Sequence, residues 1–288
     1  MKKYKGSILL LITAMIWGFA FVAQSVSMNY VGPFTFCFCR NILAGVMLLL
    51  IWPLFRDRSA AVSKEMTIKG GISCGIILGT AMALQQIGIA STTVGKAGFI
   101  TALYIVMVPV FSIMFFNRKV SLPIIIGVIL AVTGLYFLTM SGELTIGKGD
   151  LFVLGCAVVY ALHILCIDHY SPHADSIMMS CIQFFVAAGV SFIGVLLREK
   201  IEWNAIMNAI VPIAYAGIMS NGVAYTLQII GQKDTNPTVA SLIMSLESVF
   251  SVLAGWLLLG QKLSMRESLG WILVFAAVIL AQLPDKKE

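Results

Sequence analysis

Charge is scarce in this chain: 11% of its 288 residues are Asp, Glu, Lys or Arg, and the mean hydropathy is +0.97. Soluble globular chains carry about a quarter charged residues, so this one cannot cover its surface with polar side chains in water. That shortage excludes a soluble enzyme, a disordered tail and a nucleic-acid-binding domain. Metal-binding patterns are missing too, since there is no Cys-x-x-Cys and no His-Glu-x-x-His, and histidine occurs 3 times. The six cysteines (Cys37, Cys39, Cys74, Cys156, Cys166, Cys181) fall inside or at the edge of apolar runs. They read as buried free thiols that pack like small apolar residues. Neither a cofactor nor a metal ion is expected.

What the sequence has in excess is hydrophobic side chains, 59% of the total. A spanning helix needs about 20 mostly apolar residues. Ten such runs are present, at Ser7–Val26, Phe34–Phe55, Gly70–Ala90, Ala97–Phe116, Leu122–Met140, Leu151–Ile167, Ile177–Leu197, Ile206–Ile230, Val239–Leu259 and Met265–Leu283. They are continuous and do not alternate in polarity, which excludes a membrane β-barrel. The longest connection, Arg56–Lys69, is too short for a folded domain. The first run is too long for a signal-peptide core, and no clean small-x-small cleavage site follows it. The solvent for this chain is the lipid bilayer.

The net charge of +6 is spent mainly on topology. With the N-terminus in the cytoplasm, Lys2, Lys3, Lys5, Arg56, Arg58, Lys64, Lys69, Arg118 and Lys119 fall inside over the first half, against Lys96 and Lys148 outside. The second half is nearly balanced, so the first half sets the orientation. An even number of spans returns the C-terminus to the cytoplasm of a multi-pass cell (inner) membrane protein.

One internal offset recurs. A shift of 143 residues pairs Gly6 with Gly149, Leu11 with Leu154, Ala14 with Ala157 and Ala44 with Ala187. Further along it pairs Gln85 with Gln228, Gly88 with Gly231, Thr92 with Thr235, Ala97 with Ala240, Lys119 with Lys262, Ser121 with Ser264 and Gly127 with Gly270. The register is free of gaps and divides the chain into residues 1–143 and 144–288, five spans each. An odd number of spans turns the second copy over. The predicted fold class is therefore all-α: a polytopic membrane protein of ten transmembrane helices in two inverted five-helix repeats. Inverted repeats are associated with secondary transporters, whose halves expose a midplane site to each side in turn.

Several segments also resemble a known family. Ile16-Trp17-Gly18-Phe19-Ala20-Phe21 in span 1 and Arg40 in span 2 resemble the ten-helix EamA-type branch of the drug/metabolite transporter superfamily. So do the run Gly98-Phe99-Ile100-Thr101-Ala102-Leu103-Tyr104 through Pro109 in span 4 and Leu246-Glu247-Ser248-Val249-Phe250 in span 9. The resemblance covers the whole chain and implies export or exchange of small metabolites such as amino acids. Family members often carry Pro after the span 9 Glu, where this chain has Ser248. The kink that a proline would impose therefore lacks its usual cause here.

Polar residues inside the spans are few. Glu247 lies about 12 Å below the cytoplasmic boundary of span 9. A carboxylate there is costly unless paired, hydrated or protonated. It reads either as a proton-coupling or substrate-contacting group, with protons as coupling ion, or as an acid that pins helix packing. Its repeat partner is Tyr104, a phenol able to donate to a carboxylate or a substrate. Arg40 lies roughly 9 Å inside the outer boundary of span 2 and cannot shed its charge. It reads as a clamp for a substrate carboxylate, or as a side chain that snorkels or caps helix carbonyls. Its equivalent, Gln183, is uncharged.

Trp17 and Tyr160, also repeat equivalents, lie too deep for the interfacial aromatic belt. Trp17, Phe21 and Gln24 share one helical face, and Tyr160 and His163 share another. Together they point to an aromatic, sparsely polar path for a small amphipathic solute, with Gln85, Asn221 and Tyr225 as weaker contributors. The alternative is that these rings pack between helices.

Two motifs carry little. Gly71-Ile72-Ser73-Cys74-Gly75 fits Gly-x-Ser-x-Gly, but it opens a spanning helix and lacks the strand–turn–helix elbow a hydrolase needs. Gly71, Gly75 and Gly79 read as a small-residue packing stripe. Asp168, His169, His173 and Asp175 cluster in a loop, where Pro172 interrupts any helix that would align the histidines on a metal. The sequence thus predicts a transporter and not an enzyme, with a small-molecule substrate and no catalytic residues. The competing reading is an intramembrane enzyme acting on a lipid or peptide.

Overall fold

A computed structural model describes residues 5–55, 62–92, 94–139, 147–259 and 264–282. Among them, every regular element is a helix. The elements are α1 (Lys5–Ser27), α2 (Pro33–Phe55), α3 (Lys64–Ile89), α4 (Val94–Ala102), α5 (Tyr104–Phe116), α6 (Leu122–Thr139) and α7 (Lys148–Tyr170). There follow α8 (Ser176–Arg198), α9 (Trp203–Asn208), α10 (Ile210–Ala214), a π-helical segment (Tyr215–Tyr225), α11 (Thr226–Gln232), α12 (Pro237–Met244), α13 (Glu247–Leu259) and α14 (Met265–Ala281). Eight helical stretches are long and apolar enough to cross a membrane. The shorter α6 and α14 occupy the fifth and tenth expected spans and pack on one another. This is an all-α, multi-pass membrane protein.

Successive spans end alternately at opposite ends of the bundle. At the end holding the start of α1, Gly6 meets Gly231 and Thr235. There Ser63 N donates to His173 O at 2.7 Å and Arg118 pairs with Asp168 at 2.7 Å. At the opposite end, Glu199 accepts from Phe34 N at 2.9 Å and Thr35 N at 2.8 Å, capping α2 from the far repeat. Lys96 pairs with Asp150 at 2.5 Å at that same end. The topology-setting Lys2, Lys3, Arg56 and Arg58 lie outside the described residues.

Contacts exchange under the 143-residue shift. Gly6 packs on Gly231, and their equivalents Gly149 and Gly88 pack on each other. Gly134 packs on Gly270, and their equivalents Ala277 and Gly127 do the same. Gly79 meets Val190, while Gly222 meets Met47. Such swaps arise when two copies of one unit are related by a two-fold axis. Glycine is needed at these crossings because a Cβ on Gly134 would stand 2.8 Å from the Gly270 carbonyl oxygen, closer than packed atoms tolerate.

Spans 4 and 9 are broken, and at equivalent residues. Leu103 N donates to Ile100 O and Leu246 N to Ile243 O, both at 3.2 Å, an i to i−3 tightening that ends α4 and α12. No proline lies at either break. In span 9 the serines supply a cause: Ser241, Ser245 and Ser251 each hydrogen-bond a carbonyl three residues back, competing with the helical ladder. The absence of Pro at position 248 therefore does not leave the span straight.

The π-helical segment has no counterpart in the first repeat. Its equivalent stretch, residues 72–82, is regular helix inside α3. The wider winding hands carbonyls to α1: Trp17 Nε1 donates to Ser220 O at 3.3 Å and Thr13 Oγ1 to Ala224 O at 3.0 Å. In return, Tyr215 OH donates to Ile16 O at 3.0 Å. Segments of this kind are frequent at functional sites.

Candidate functional site

The two helix breaks place Tyr104 at the first residue of α5 and Glu247 at the first residue of α13. Discontinuous spans with half-helix termini at mid-depth are the usual makings of a transporter site. The positive end of the α13 dipole also faces the acid it begins with. Tyr104 OH donates to Glu247 Oε1 at 3.3 Å. Because these residues are repeat equivalents in direct contact, the two-fold axis passes between them.

A cavity opens on that axis. It is lined by sixteen residues, and twelve of them form six equivalent pairs: Trp17 with Tyr160, Ala20 with His163, Phe21 with Ile164, Gln85 with Gln228, Thr101 with Met244, and Tyr104 with Glu247. The other four are Gln24, Arg40, Ser220 and Tyr225. Gln24 and Arg40 carry the lining toward the Glu199 end of the bundle. Their equivalents Ile167 and Gln183, at the opposite end, are not part of it. The cavity is thus paired over most of its lining, with Ser220 and Tyr225 added from the π-segment, and extended toward one end.

The walls are linked by hydrogen bonds. Tyr225 OH donates to Tyr160 OH, and Tyr160 OH to Gln85 Oε1, both at 3.3 Å. Gln85 Nε2 then donates to Thr101 Oγ1 at 3.3 Å. The Trp17 ring lies 4.6 Å from the Tyr225 ring, centroid to centroid. His163 Nε2 meets Gln183 Oε1 at 3.1 Å, and its Nδ1 has no partner. Arg40 donates to Gln24 Oε1 at 3.3 Å and to Cys37 Sγ at 3.5 Å, with Phe36 5.0 Å from its guanidinium carbon. At 2% exposure the side chain does not snorkel to the surface, and among the described residues its hydrogen bonds go to side chains and cap no helix carbonyl.

The structure brings Trp17, Phe21, Gln24, Arg40, Gln85, Tyr104, Tyr160, His163, Tyr225 and Glu247 together around this one space. Asn221 does not join them. It donates to Asn41 Oδ1 at 2.7 Å, between the π-segment and α2. An α-helix would put Asn221 and Tyr225 on one face. The π winding, with i to i+5 hydrogen bonds and more residues per turn, leaves Ser220 in the lining and turns Asn221 toward α2. Ser220, Thr101 and Gln228 are lining residues that the sequence reading missed. Gln228 was reachable, since it is the repeat equivalent of Gln85. The cavity measures about 40 Å³, room for roughly three waters. Anything larger requires the walls to move.

The discounted motifs have structural roles. Gly71 and Gly75 lie against Ile182 and Val186 of α8. Asp168 pairs with Arg118, and Asp175 caps α8 by accepting from Ile177 N and Met178 N.

Comparison with known proteins follows the same repeat. An uncharacterized transporter of Archaeoglobus fulgidus is 29% identical over 98% of this chain and 87% of its own length. The uncharacterized transporter YoaV of Bacillus subtilis is 23% identical over 92% of each chain. A solved crystal structure superimposes with a TM-score of 0.80 over 97% of both chains at 16% identity, which establishes likeness of fold. The profile of the EamA-like transporter family matches twice, over residues 4–140 and 147–283, so this chain belongs to the EamA-like transporter family.

Proposed function

We propose that the protein is a secondary transporter, an exporter or exchanger, that moves small amphipathic metabolites such as amino acids by alternating access. The observation that carries this is the cavity on the two-fold axis, shared pair by pair between the repeats. A centre built from equivalent residues stays a centre when the two repeats exchange conformations. Its extension changes ends, from Gln24 and Arg40 to Ile167 and Gln183. Residues 1–143 and 144–288 serve as the two exchanging units.

The aromatic rings of Trp17, Phe21, Tyr160 and Tyr225 suit an apolar body, and Glu247 with Tyr104 supplies a group that can carry a proton through the cycle. On this reading both termini face the cytoplasm, in keeping with the positive excess of the first half.

Proteoliposomes loaded with a mixed pool of amino acids and other metabolites test the proposal. Movement of a solute without chemical change is the expected result. Conversion of the solute would favour an intramembrane enzyme, and neither outcome over a broad panel would overturn both readings.

A further inference from the structure

Arg40, the cation in the cavity lining, has no acid beside it, since Glu247 lies across the cavity out of ion-pair reach. Among the described residues, no carboxylate comes within 4.0 Å of the Arg40 guanidinium, whose side chain is 2% exposed. Its acceptors are a neutral amide oxygen and a thiol sulfur, and Nε has no partner among the described residues. A guanidinium keeps its charge at any working pH and has five N–H donors to satisfy. Burying such a group without a counter-charge is unfavourable, and proteins keep it so where something else supplies the charge.

The second repeat sharpens this. Gln183, at the position equivalent to Arg40, is fully buried and neutral, and hydrogen-bonds His163. The packing common to both positions is therefore met without charge, and the charge at Arg40 serves something the other repeat lacks. It borders a part of the cavity that has no symmetric counterpart.

We infer that Arg40 recognises the carboxylate of the transported solute, and that the solute class is small organic acids with an apolar or aromatic body. The carboxylate takes the place of the missing anion at the guanidinium fork. The apolar body lies against Trp17, Phe21 and Tyr225, toward the two-fold axis. This rests on the transport reading above and adds the charge that the solute must carry.

Binding to the purified full-length protein in detergent tests it, with 3-phenylpropanoate and its uncharged amide as matched probes followed by tryptophan fluorescence. The acid is expected to bind about tenfold to a hundredfold more tightly than the amide. Arg40→Gln should remove that difference and leave amide binding in place. Arg40→Lys should keep part of it, because a lysine retains the charge and loses the fork.

Equal affinity for acid and amide, absence of acid binding, or a preference that survives in Arg40→Gln would each overturn the inference. Chloride or inorganic phosphate competing as well as the acid would overturn it too, by marking a general anion site. Should Arg40→Gln fail to fold in a thermal melt, the comparison of probes on the native protein and on Arg40→Lys decides, and an undiminished preference in Arg40→Lys counts against the fork. Proteoliposomes separate the two proposals. Movement of neutral solutes alone removes the carboxylate assignment and leaves transport standing, whereas no movement of any solute removes transport itself.

Discussion

Tyr104 and Glu247, 143 positions apart in sequence, meet at 3.3 Å on the axis that relates the two repeats. One repeat contributes a phenol and the other an acid, so the contact breaks the symmetry of the centre it occupies. An acid that begins a half-helix at mid-depth suits a group that changes protonation during a transport cycle.

The first prediction follows from that pair. In proteoliposomes, Glu247→Gln should still move solute down its own gradient and lose any response to an imposed proton gradient. Tyr104→Phe keeps the acid and deletes one donor, so it should retain the response at a reduced rate. Glu247→Gln with full and equally pH-dependent transport would end the coupling role and leave the acid as a packing element.

Alternating access makes a second prediction about Gln24 and its equivalent, Ile167. Gln24 borders the extended part of the cavity and Ile167 is fully buried. In a background without the native cysteines, Gln24→Cys should react with an impermeant thiol reagent added at the Glu199 end when the walls on that side part, since Gln24 is 5% exposed at rest. Ile167→Cys should stay shielded at rest and become reactive from the opposite end during turnover. Equal labelling of both positions from the same side would rule out the exchange of repeats.

The sequence made the repeat and most of the cavity legible, because in a membrane a deep polar or aromatic residue stands out against lipid-like neighbours. Trp17, Arg40, Tyr160 and Glu247 could each be picked out by depth alone. The helix breaks were harder to see. Leu103 and Leu246 are ordinary apolar residues, and nothing in a uniformly hydrophobic run records a change from i−4 to i−3 bonding. The π-segment was invisible for the same reason. A wider winding shifts the face by one residue per turn, enough to exchange Asn221 for Ser220, and leaves hydropathy unchanged.

A third prediction concerns Cys74 of α3 and Cys166 of α7, free thiols whose sulfurs lie 3.2 Å apart at the end holding the start of α1. A mild oxidant such as diamide should take two electrons and two protons from the pair and join the sulfurs. That bond would tie the two repeats together at the end opposite the extended part of the cavity. Transport should stop, and dithiothreitol should restore it. Cys74→Ala should be insensitive to the oxidant. Full transport by cross-linked protein, verified by mass spectrometry of the joined peptides, would mean that α3 and α7 move as one body.

The glycine crossings yield the last prediction, because substitution there separates close packing from simple helix propensity. An added Cβ at Gly134 would stand 2.8 Å from Gly270 O, and one at Gly270 would stand 2.6 Å from Gly134 O. These are backbone atoms, which cannot turn aside as a flexible side chain can. Gly134→Ala and Gly270→Ala should therefore each destabilise the α6–α14 pair, by about 1–3 kcal/mol as overpacked contacts usually do. Gly189 of α8 has nothing within 4 Å of the added carbon. There the same substitution should cost nothing, since alanine is the better helix former by roughly 1 kcal/mol. Thermal melts in detergent compare the three directly. A loss at Gly189 as large as at Gly134 would show that the effect is general to glycine in these helices, and that the close crossing between repeats contributes little to holding them together.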